Sequence, residues 1–314
     1  MFKHPGLTEI VSGFPHGQVV LYLLKGDQNA LIDTGPKEAV TKDILPAFKS
    51  QHMTLNDIDY IINTHGHFDH TGGNHEVKAG GQAKICIHEL EKNQVTDRQQ
   101  YINDFFRPAV TSILGSEYFD SEWEDYAQIA GPEVEVDWLI KDNDMICLGN
   151  GCDLKVIHLP GHTPGSLGFY WEKEGVLFSG DSLPGLHDSN GGIPILSDLE
   201  AYKKSIQRIK DLNPGYIMMS HEFRRSRNDA SYCLEGKEIE SYMQTSLRFV
   251  DSLEEAIGSL EPAIKEQPVL QIYDTIISKL PAEMGFKYSA ELGTNLFCSK
   301  TILFAIKKQT VRFN

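Results

Sequence analysis

The stretch Thr64-His65-Gly66-His67-Phe68-Asp69-His70-Thr71-Gly72-Gly73 places three imidazoles and one carboxylate within six consecutive positions. It directly follows residues 58–62, an apolar run typical of a β-strand. Imidazole and carboxylate groups together suit borderline divalent cations such as zinc, iron or manganese. A cluster this dense predicts a metal site at the end of a strand, rather than a polar loop with unrelated histidines.

Backbone geometry decides how many of these side chains can share one site. In an extended segment the side chains alternate between two faces, so we expect His65, His67 and Asp69 to point one way. His70 can join them only if the backbone turns, which Gly72 and Gly73 permit.

A metal site needs ligands from elsewhere in the fold, and three later strand-like runs each lead to a candidate. The candidates are His162 after 154–157, Asp181 after 176–180 and His221 after 216–220. Loops at the ends of buried strands are a usual place for binding groups on a rigid scaffold. Singly, each residue could equally be a buried histidine or a turn aspartate. Together with the first cluster they favour a common site.

The order of these groups, HxHxDH followed by His, Asp and His, resembles the metallo-β-lactamase superfamily. The resemblance includes residues 30–35 (Ala-Leu-Ile-Asp-Thr-Gly), a strand and turn that this family carries near its N-terminus, and it spans roughly Thr8 to Arg227. It implies an α/β fold, a four-layer αββα sandwich, to which this chain adds a helical C-terminal extension.

The resemblance also implies a ligand set for two divalent metal ions, with zinc favoured and iron or manganese as alternatives. One ion would be held by His65, His67 and His162, the second by Asp69, His70 and His221, with Asp181 bridging both. Asp69 would also orient the attacking hydroxide, which makes it the candidate catalytic residue. Asp33 has two interpretations: support for ligand orientation beneath the site, or an ordinary strand-ending aspartate in a turn.

Departures from related families narrow the expected activity. Zinc β-lactamases of this fold carry Cys or Ser where this chain has Asp181, and flavodiiron proteins carry Glu where it has His67. The full ligand set is most similar to glyoxalase II-like hydrolases, which predicts a hydrolase of a small thioester, lactone or phosphodiester. Two alternatives stay open. One is a mononuclear iron dioxygenase of the persulfide dioxygenase type, and the other is a non-catalytic regulatory protein that retains the site.

The charge of the chain bears on its substrate. Its 314 residues include 44 acidic and 29 basic side chains, a formal net charge of −15. Nucleic-acid enzymes need positive surface to hold a phosphate backbone, so we expect a small-molecule substrate and no nucleic acid partner. The short basic cluster Arg224-Arg225-Ser226-Arg227 is either a solvated loop or an anchor for an anionic substrate group.

The sequence also predicts where in the cell the protein is found. No run reaches the ~20 apolar residues that span a bilayer, and residues 1–6 lack a signal-peptide core. The five cysteines are scattered and favour reduced thiols over a disulfide framework or a CxxC zinc site. We therefore expect a cytoplasmic enzyme with no membrane partner.

The chain is predicted to divide at residue 228. Residues 1–228 form the metallo-β-lactamase-like domain, and 229–314 form a helical extension with helices over 238–260, 263–280 and 289–307. A charged, aromatic insertion at about 89–135 is either a lid over the metal site or a surface helical pair that packs its aromatics on the core. The extension would wall the substrate pocket or form a homodimer surface.

Overall fold

The computed structural model describes residues 2–15, 17–113, 115–184, 193–226, 229–265, 267, 269–282, 301–303, 305 and 306. Its framework is a pair of six-stranded sheets, the first built from the N-terminal half of the chain and the second from later residues. None of the described helices has the length and apolar character needed to cross a membrane.

The first sheet keeps its strands in chain order. They are β1 (Leu7–Phe14), β2 (Gly17–Lys25), β3 (Asn29–Ile32), β4 (Tyr60–Ile62), β5 (Lys84–His88) and β6 (Trp138–Ile140). The pairs β1–β2 and β2–β3 are antiparallel, whereas β3 to β6 run parallel to one another. The parallel part brings the carboxyl ends of β3, β4 and β5 to one edge, and the loops there carry Asp33 and the first ligand cluster.

The second sheet consists of β7 (Met145–Cys147), β8 (Asp153–His158), β9 (Leu167–Trp171), β10 (Val176–Gly180), β11 (Tyr216–Ser226) and β12 (Asp229–Glu235). Its strands also follow chain order, and only the β10–β11 pair is parallel. β12 corrects the expectation that a helical extension begins at residue 229. Residues 229–235 pair antiparallel with β11 and complete this sheet.

Alternating side chains of β2 show why the molecule has four layers. Val20, Tyr22 and Leu24 point to a core shared by the two sheets. Val19, Leu21 and Leu23 point to the opposite face, where helical residues such as Val40, Ile44 and Phe48 cover them. A third core lies between the second sheet and later helices, and it includes Ile157, Leu177, Ile206 and Phe249. The helix–sheet–sheet–helix order is the predicted αββα sandwich, now confirmed.

Helices of the first half flank the first sheet and then form the insertion. Before β5 they are a π-helical turn (Val40–Ile44), α1 (Leu45–Ser50), a 3₁₀ turn (Leu55–Asp57), α2 (Phe68–Thr71) and α3 (Asn74–Ala79). The insertion holds two 3₁₀ turns (Glu89–Glu91 and Ser116–Tyr118), a π-helical turn (Ile102–Phe106), α4 (Lys92–Thr96), α5 (Arg98–Tyr101), α6 (Arg107–Ile113) and α7 (Phe119–Ile129). Its helical character is as predicted.

Two long helices cover the second sheet. After a 3₁₀ turn (Glu172–Glu174), α8 (Leu199–Leu212) begins where the Asp198 carboxylate accepts a 3.0 Å bond from the Ala201 N–H. Its buried side chains recur at helical spacing, at Leu199, Tyr202, Ile206 and Ile209. α9 (Lys237–Gly258) packs beside it and buries Phe249 and Leu253.

The C-terminal helices differ from the predicted pattern in one place. α9 corresponds to the first predicted helix, but the second is divided into α10 (Pro262–Lys265) and α11 (Val269–Ile277). Of the third, 289–307, the described residues 301–303, 305 and 306 are helical and the others lie outside the described residues. The division of the chain into two domains and the homodimer both stay predictions.

Candidate metal centre

The first ligand cluster spans a loop and a short helix. His65 and His67 follow β4, and α2 begins immediately after His67, whose backbone is still extended (φ −63°, ψ 151°). The N–H groups of His70 and Thr71 then both bond to the His67 carbonyl at 3.0 Å. The predicted alternation of His65, His67 and Asp69 along one extended segment is therefore wrong. The chain turns at Phe68, so Asp69 and His70 both reach the site from helix α2.

Packing explains why the backbone turns at this point. The Phe68 ring is buried and lies edge-on to Tyr101, Trp123 and Tyr126 of the insertion, with ring centroids 5.9, 6.1 and 5.6 Å away. Gly72 has an ordinary helical φ of −60°, but a Cβ there would lie 2.4 Å from the Ile129 carbonyl oxygen. This glycine therefore permits close packing against the insertion rather than an unusual backbone angle.

The three remaining candidates come from the second sheet. His162 lies in the loop between β8 and β9, and Asp181 directly follows β10. His221 lies inside β11 rather than at the end of its strand, where the pairing register with β12 shifts between Met218 and Phe223. This irregularity interrupts the regular ladder at the residue that must turn towards the site.

His65, His67 and His162 form one group of potential ligands. The His162 Nε2 atom lies 3.2 Å from His65 Nε2 and 3.0 Å from His67 Nδ1. His65 and His162 are buried, with exposed fractions of 1% and 3%. Three imidazole nitrogens converging on one point in this way are a donor set that zinc and other transition metals favour.

Asp69, His70 and His221 form a second group beside the first. His70 Nε2 and His221 Nε2 are 3.3 Å apart, and the Asp69 Oδ2 atom lies 3.7 Å from the former and 3.4 Å from the latter. The three ligand atoms lie within 4.8 Å of one another, as they do in the first group.

Asp181 lies between the two groups. Its Oδ2 atom is 3.4 Å from His162 Nε2 and 3.3 Å from His221 Nε2, and its Oδ1 atom is 3.6 Å from His70 Nε2. The Oδ1 atom is buried and has no hydrogen-bond partner among the described residues. An unpaired buried carboxylate oxygen facing imidazole nitrogens fits a bound cation, so the residues present fit divalent metal ions.

Hydrogen bonds on the far side of the rings orient three of the imidazoles. The Nδ1 atoms of His162 and His221 each lie 2.7 Å from a backbone carbonyl, of Ile195 and Gln18 respectively. Because a carbonyl only accepts, Nδ1 carries the proton and Nε2 is left as a ligand atom. His70 Nδ1 makes the corresponding contact, 2.8 Å, with Asp33 Oδ2.

Asp33 is therefore positioned beneath the site, which favours the first of its two interpretations. It is fully buried, and its carboxylate also accepts bonds from the Thr64 N–H at 2.8 Å and the Thr64 hydroxyl at 2.7 Å. Its backbone is left-handed, with φ 58°. Asp33 thus holds both the His70 ring and the segment that leads into His65.

The buried ionisable groups at the site shift one another's pKa values. Burial alone would raise the pKa of Asp181, but His221, His70 and His162 outweigh it and keep that pKa well below its usual range. Burial alone would lower the pKa of His221, but Asp181 and Asp69 raise it to about 10. Burial and the neighbouring imidazoles hold the pKa of His65 well below its usual range. Ionised carboxylates and a neutral His65 are the forms that bind metals, whereas His221 would have to release its Nε2 proton when a metal ion binds.

Glu91 is a functional candidate that the sequence interpretation missed. It is fully buried, and its two carboxylate oxygens accept bonds from the N–H of Gly66 at 3.0 Å and of Gly165 at 2.8 Å. Gly66 separates His65 from His67, and Gly165 lies in the loop that carries His162, so Glu91 ties two ligand loops together. No local signal separates Glu91 from its exposed neighbour Glu89. Only the tertiary contacts identify it.

The insertion contacts both Phe68 and the cavity beside the first ligand group. Its aromatics pack on Phe68, and its first helices line one side of a cavity of about 180 Å³ that reaches His67 and His162. It therefore packs on the core and contributes to the wall of this cavity, and its role as a lid stays a prediction. The basic cluster at 224–227 stays untested, because the side chains of Arg224 and Arg225 and the whole of Arg227 lie outside what the structure describes.

Comparison with known proteins agrees with this geometry. The family profile of the metallo-beta-lactamase superfamily matches residues 14–221. The chain is similar to a hydroxyacylglutathione hydrolase of Pelagibacter ubique, with 24% identity over 76% of this chain and 80% of that protein. It is also similar to an acyl-coenzyme A thioesterase of Homo sapiens, with 25% identity over 51% of this chain and 57% of that protein.

Solved structures give the same fold. A metallo-beta-lactamase family protein from Thermus thermophilus superposes with a TM-score of 0.66 at 19% identity, covering 98% of this chain and 95% of that chain. At this level of identity the structural likeness shows the architecture alone.

Proposed function

The chain belongs to the metallo-β-lactamase superfamily, and from this membership we propose that it is a dinuclear metal-dependent hydrolase of a small thioester. Lactones and phosphodiesters are the other substrate classes within reach of the same chemistry. The seven predicted ligands are His65, His67, Asp69, His70, His162, Asp181 and His221, with Asp69 as the catalytic residue.

The position of Asp181 carries the proposal of two metals. One of its oxygens lies 3.4 Å from His162 in the first group and 3.3 Å from His221 in the second. A single ion on His65, His67 and His162 would leave the clustered ligand atoms of Asp69, His70 and His221 without a metal ion. A cation in each group, with Asp181 between them, would compensate the carboxylates of Asp69 and Asp181.

The chemistry follows from this arrangement. Two divalent cations here would supply Lewis acidity and lower the pKa of a shared water from about 15.7 towards ~7. The Asp69 side chain is 19% exposed, so its carboxylate can hold that water and face a substrate. In thioester hydrolysis the water loses one proton to solvent and its oxygen bonds to the acyl carbon. The C–S bond then breaks, and the products are a carboxylate and a thiol that carries the second proton.

Two observations support a small thioester as the first substrate class to test. Relatives include proteins named as a hydroxyacylglutathione hydrolase and an acyl-coenzyme A thioesterase. A formal net charge of −15 disfavours a polynucleotide, because phosphate backbones are held by positive surface.

Metal content and hydrolysis should be measured on the same preparation. We expect close to two transition metal ions per chain after loading with zinc, manganese or iron, and hydrolysis of S-phenyl thioacetate by the loaded protein. His65→Ala should lose most of the metal and of the activity. His75→Ala, a nearby exposed histidine on α3, is the matched control and should keep both.

Three results would overturn the proposal. One iron per chain with consumption of oxygen would favour the dioxygenase alternative. Folded protein that takes up no metal would exclude the metal centre. Metal-loaded protein without activity on thioesters, lactones or bis-aryl phosphodiesters, whose biological effect survives His67→Ala, would favour a regulatory role.

A further inference from the structure

The backbone carbonyl that orients the His162 ring belongs to a separate segment of the chain, residues 193–197. The His162 Nδ1 atom lies 2.7 Å from the Ile195 carbonyl oxygen, and residues 193–197 are in neither a helix nor a strand. An irregular segment has no regular ladder of backbone hydrogen bonds to set the direction of its carbonyls. The orientation of the Ile195 carbonyl must therefore come from other contacts.

Contacts after Ile195 tie this segment to the loop that carries His162. The Ser197 and Asp198 N–H groups donate to the Gly161 carbonyl at 2.7 and 3.1 Å, and the Ser197 hydroxyl donates to the same oxygen at 3.1 Å. These bonds keep the segment beside the loop. They do not hold the peptide groups on either side of Ile195.

Thr301 holds both of those peptide groups. Its hydroxyl donates to the Pro194 carbonyl at 2.7 Å and accepts from the Leu196 N–H, also at 2.7 Å. A hydroxyl has one donor and two acceptor sites, so a single threonine can make both bonds. Thr301 therefore contacts the backbone immediately before and immediately after Ile195.

The bond from Leu196 also determines where the Ile195 carbonyl points. The Ile195 C=O and the Leu196 N–H belong to one planar trans peptide unit, in which the two groups point in opposite directions. Because the N–H of this unit is directed at Thr301, its carbonyl is directed away from Thr301 and reaches His162 Nδ1. One peptide unit thus connects the Thr301 hydroxyl to the His162 ring.

Burial makes the Thr301 hydroxyl difficult to replace. Thr301 is fully buried, and Ile302 and Leu303 beside it belong to the core between the second sheet and the later helices. Pro194 and Leu196 are also buried. Without the hydroxyl, a carbonyl and an N–H would be left unpaired away from water, and the segment would have to move to satisfy them.

We propose that Thr301 is a positioning residue of the metal centre, which acts on His162 through the peptide unit of Ile195 and Leu196. The inference rests on the proposed metal-dependent function and adds a residue of the C-terminal extension to the site. Thr301 acts through the backbone rather than as a ligand. By holding the Ile195 carbonyl against Nδ1, it keeps the proton there and leaves Nε2 to face the other imidazoles of the first ligand group.

The first test uses metal-free protein and needs no activity. With ¹⁵N-labelled histidine, the ring nitrogens of His162, assigned by their loss in His162→Gln, report which of them carries the proton when the imidazole is neutral. We expect the ratio of the Nδ1–H to the Nε2–H tautomer to fall by about 2- to 12-fold in Thr301→Val, as loss of one neutral hydrogen bond gives. Thr301→Ser keeps the hydroxyl and should keep the ratio.

The second test measures metal affinity. We expect Thr301→Val to bind one of its two Co²⁺ ions about tenfold more weakly and with shifted absorption bands, and Thr301→Ser to restore both. Ser12→Ala is the control for lost stability alone. Ser12 is fully buried and its hydroxyl donates to Asp43 at 2.6 Å, but it lies on β1, which β2 and β3 separate from β4. This variant should be less stable than the unaltered protein and keep the Co²⁺ spectrum.

The outcomes separate the inference from the proposed function. An unchanged tautomer ratio or an unchanged Co²⁺ affinity in folded Thr301→Val would overturn the inference, while hydrolysis of S-phenyl thioacetate by the unaltered protein would leave the proposed function standing. If Thr301→Val does not fold, Thr301→Cys replaces it, because a thiol is a weaker donor and acceptor, and the same two results would overturn the inference. If the unaltered protein takes up no Co²⁺, the proposed function fails and the role of Thr301 at a metal centre fails with it.

Discussion

At the scale of single residues, Asp33 acts on the candidate metal centre without belonging to the predicted ligand set. Its carboxylate accepts from His70 Nδ1 and from two groups of Thr64. Its left-handed backbone, φ 58°, is one that asparagine also tolerates. Asp33→Asn therefore changes the acceptor chemistry without adding backbone strain, which makes it a clean test of ligand orientation.

We expect Asp33→Asn to weaken metal binding at the group of Asp69, His70 and His221 by about 10- to 100-fold. About one metal ion per chain should remain when chelator is titrated and metal content is measured by mass spectrometry. Asp59→Asn is the control, because Asp59 also accepts a backbone N–H, from Asn29 at 2.7 Å, but lies away from the site. Equal metal loss in both variants would contradict the orienting role.

Glu91→Gln tests the connection between the two ligand loops. The new amide nitrogen would face an N–H group of Gly66, Gly165 or Gln94, so one hydrogen bond becomes a contact between donors. We expect the free energy of unfolding to fall by about 1–3 kcal/mol and the absorption bands of bound Co²⁺ to shift. The exposed Glu89→Gln is the matched control and should change neither. If Glu91→Gln is destabilised but binds Co²⁺ with an unchanged spectrum, Glu91 contributes to stability and not to the orientation of the ligands.

The sequence predicts which residues make up the candidate site, but not the backbone turn that brings them together or the buried residue that supports them. The order of His65, His67, Asp69, His70, His162, Asp181 and His221 was sufficient to name residues that the fold brings together, although their roles as ligands stay predictions. The turn at Phe68 was missed because it depends on aromatic contacts with residues far along the chain. Glu91 was missed for the same reason, since burial of a carboxylate is a tertiary property.

At the scale of elements, the loop after β8 packs closely against Glu91. A Cβ on Gly165 would lie 2.6 Å from the Cγ atom of Glu91, although the Gly165 backbone itself is not left-handed. We expect Gly165→Ala to lower the free energy of unfolding by about 1–3 kcal/mol through overpacking, as measured by urea denaturation. Gly13→Ala on β1, where a Cβ would meet nothing within 4 Å, should be neutral or slightly stabilising. Similar stability in the two variants would contradict the close packing at Gly165.

Strands buried on both faces were the easiest elements to predict. β2, β4 and β10 are nearly continuous apolar runs, and the runs indicate strands directly. β12 was missed because an edge strand needs only some apolar positions, here including Cys233 and Leu234, and it follows a polar stretch. Helical periodicity over 263–280 does not show the break between α10 and α11, but Pro268 does indicate it, because proline favours the start of a helix and α11 begins at Val269.

At the scale of the whole molecule, the candidate ligands come from both sheets. His65, His67, Asp69 and His70 follow a strand of the first sheet, whereas His162, Asp181 and His221 belong to the second. A bound cation would therefore link the two sheets, in addition to the core they share.

Metal removal should lower thermal stability as a consequence. A ligand present at 100 times its Kd adds about 2.7 kcal/mol to the free energy of unfolding, which for a chain of 314 residues corresponds to a rise in Tm of about 4 °C. We expect zinc to raise Tm by that amount over chelator-treated protein, measured by calorimetry. His65→Ala should lose most of this rise, and His75→Ala should keep it. An unchanged Tm on chelation of fully loaded protein would argue against a link between the sheets.

The division of ligands between the sheets also orders events during synthesis. When the HxHxDH segment leaves the ribosome, its partners His162, Asp181 and His221 have not yet been translated. The nascent chain then holds a partial chelating group that lacks the second-sheet ligands, and the full set of candidate ligands does not exist until β11 has emerged and docked. Binding of a metal ion by the full set of candidate ligands would therefore be a late step that follows assembly of both sheets, and a chain truncated before residue 221 would lack one of those ligands.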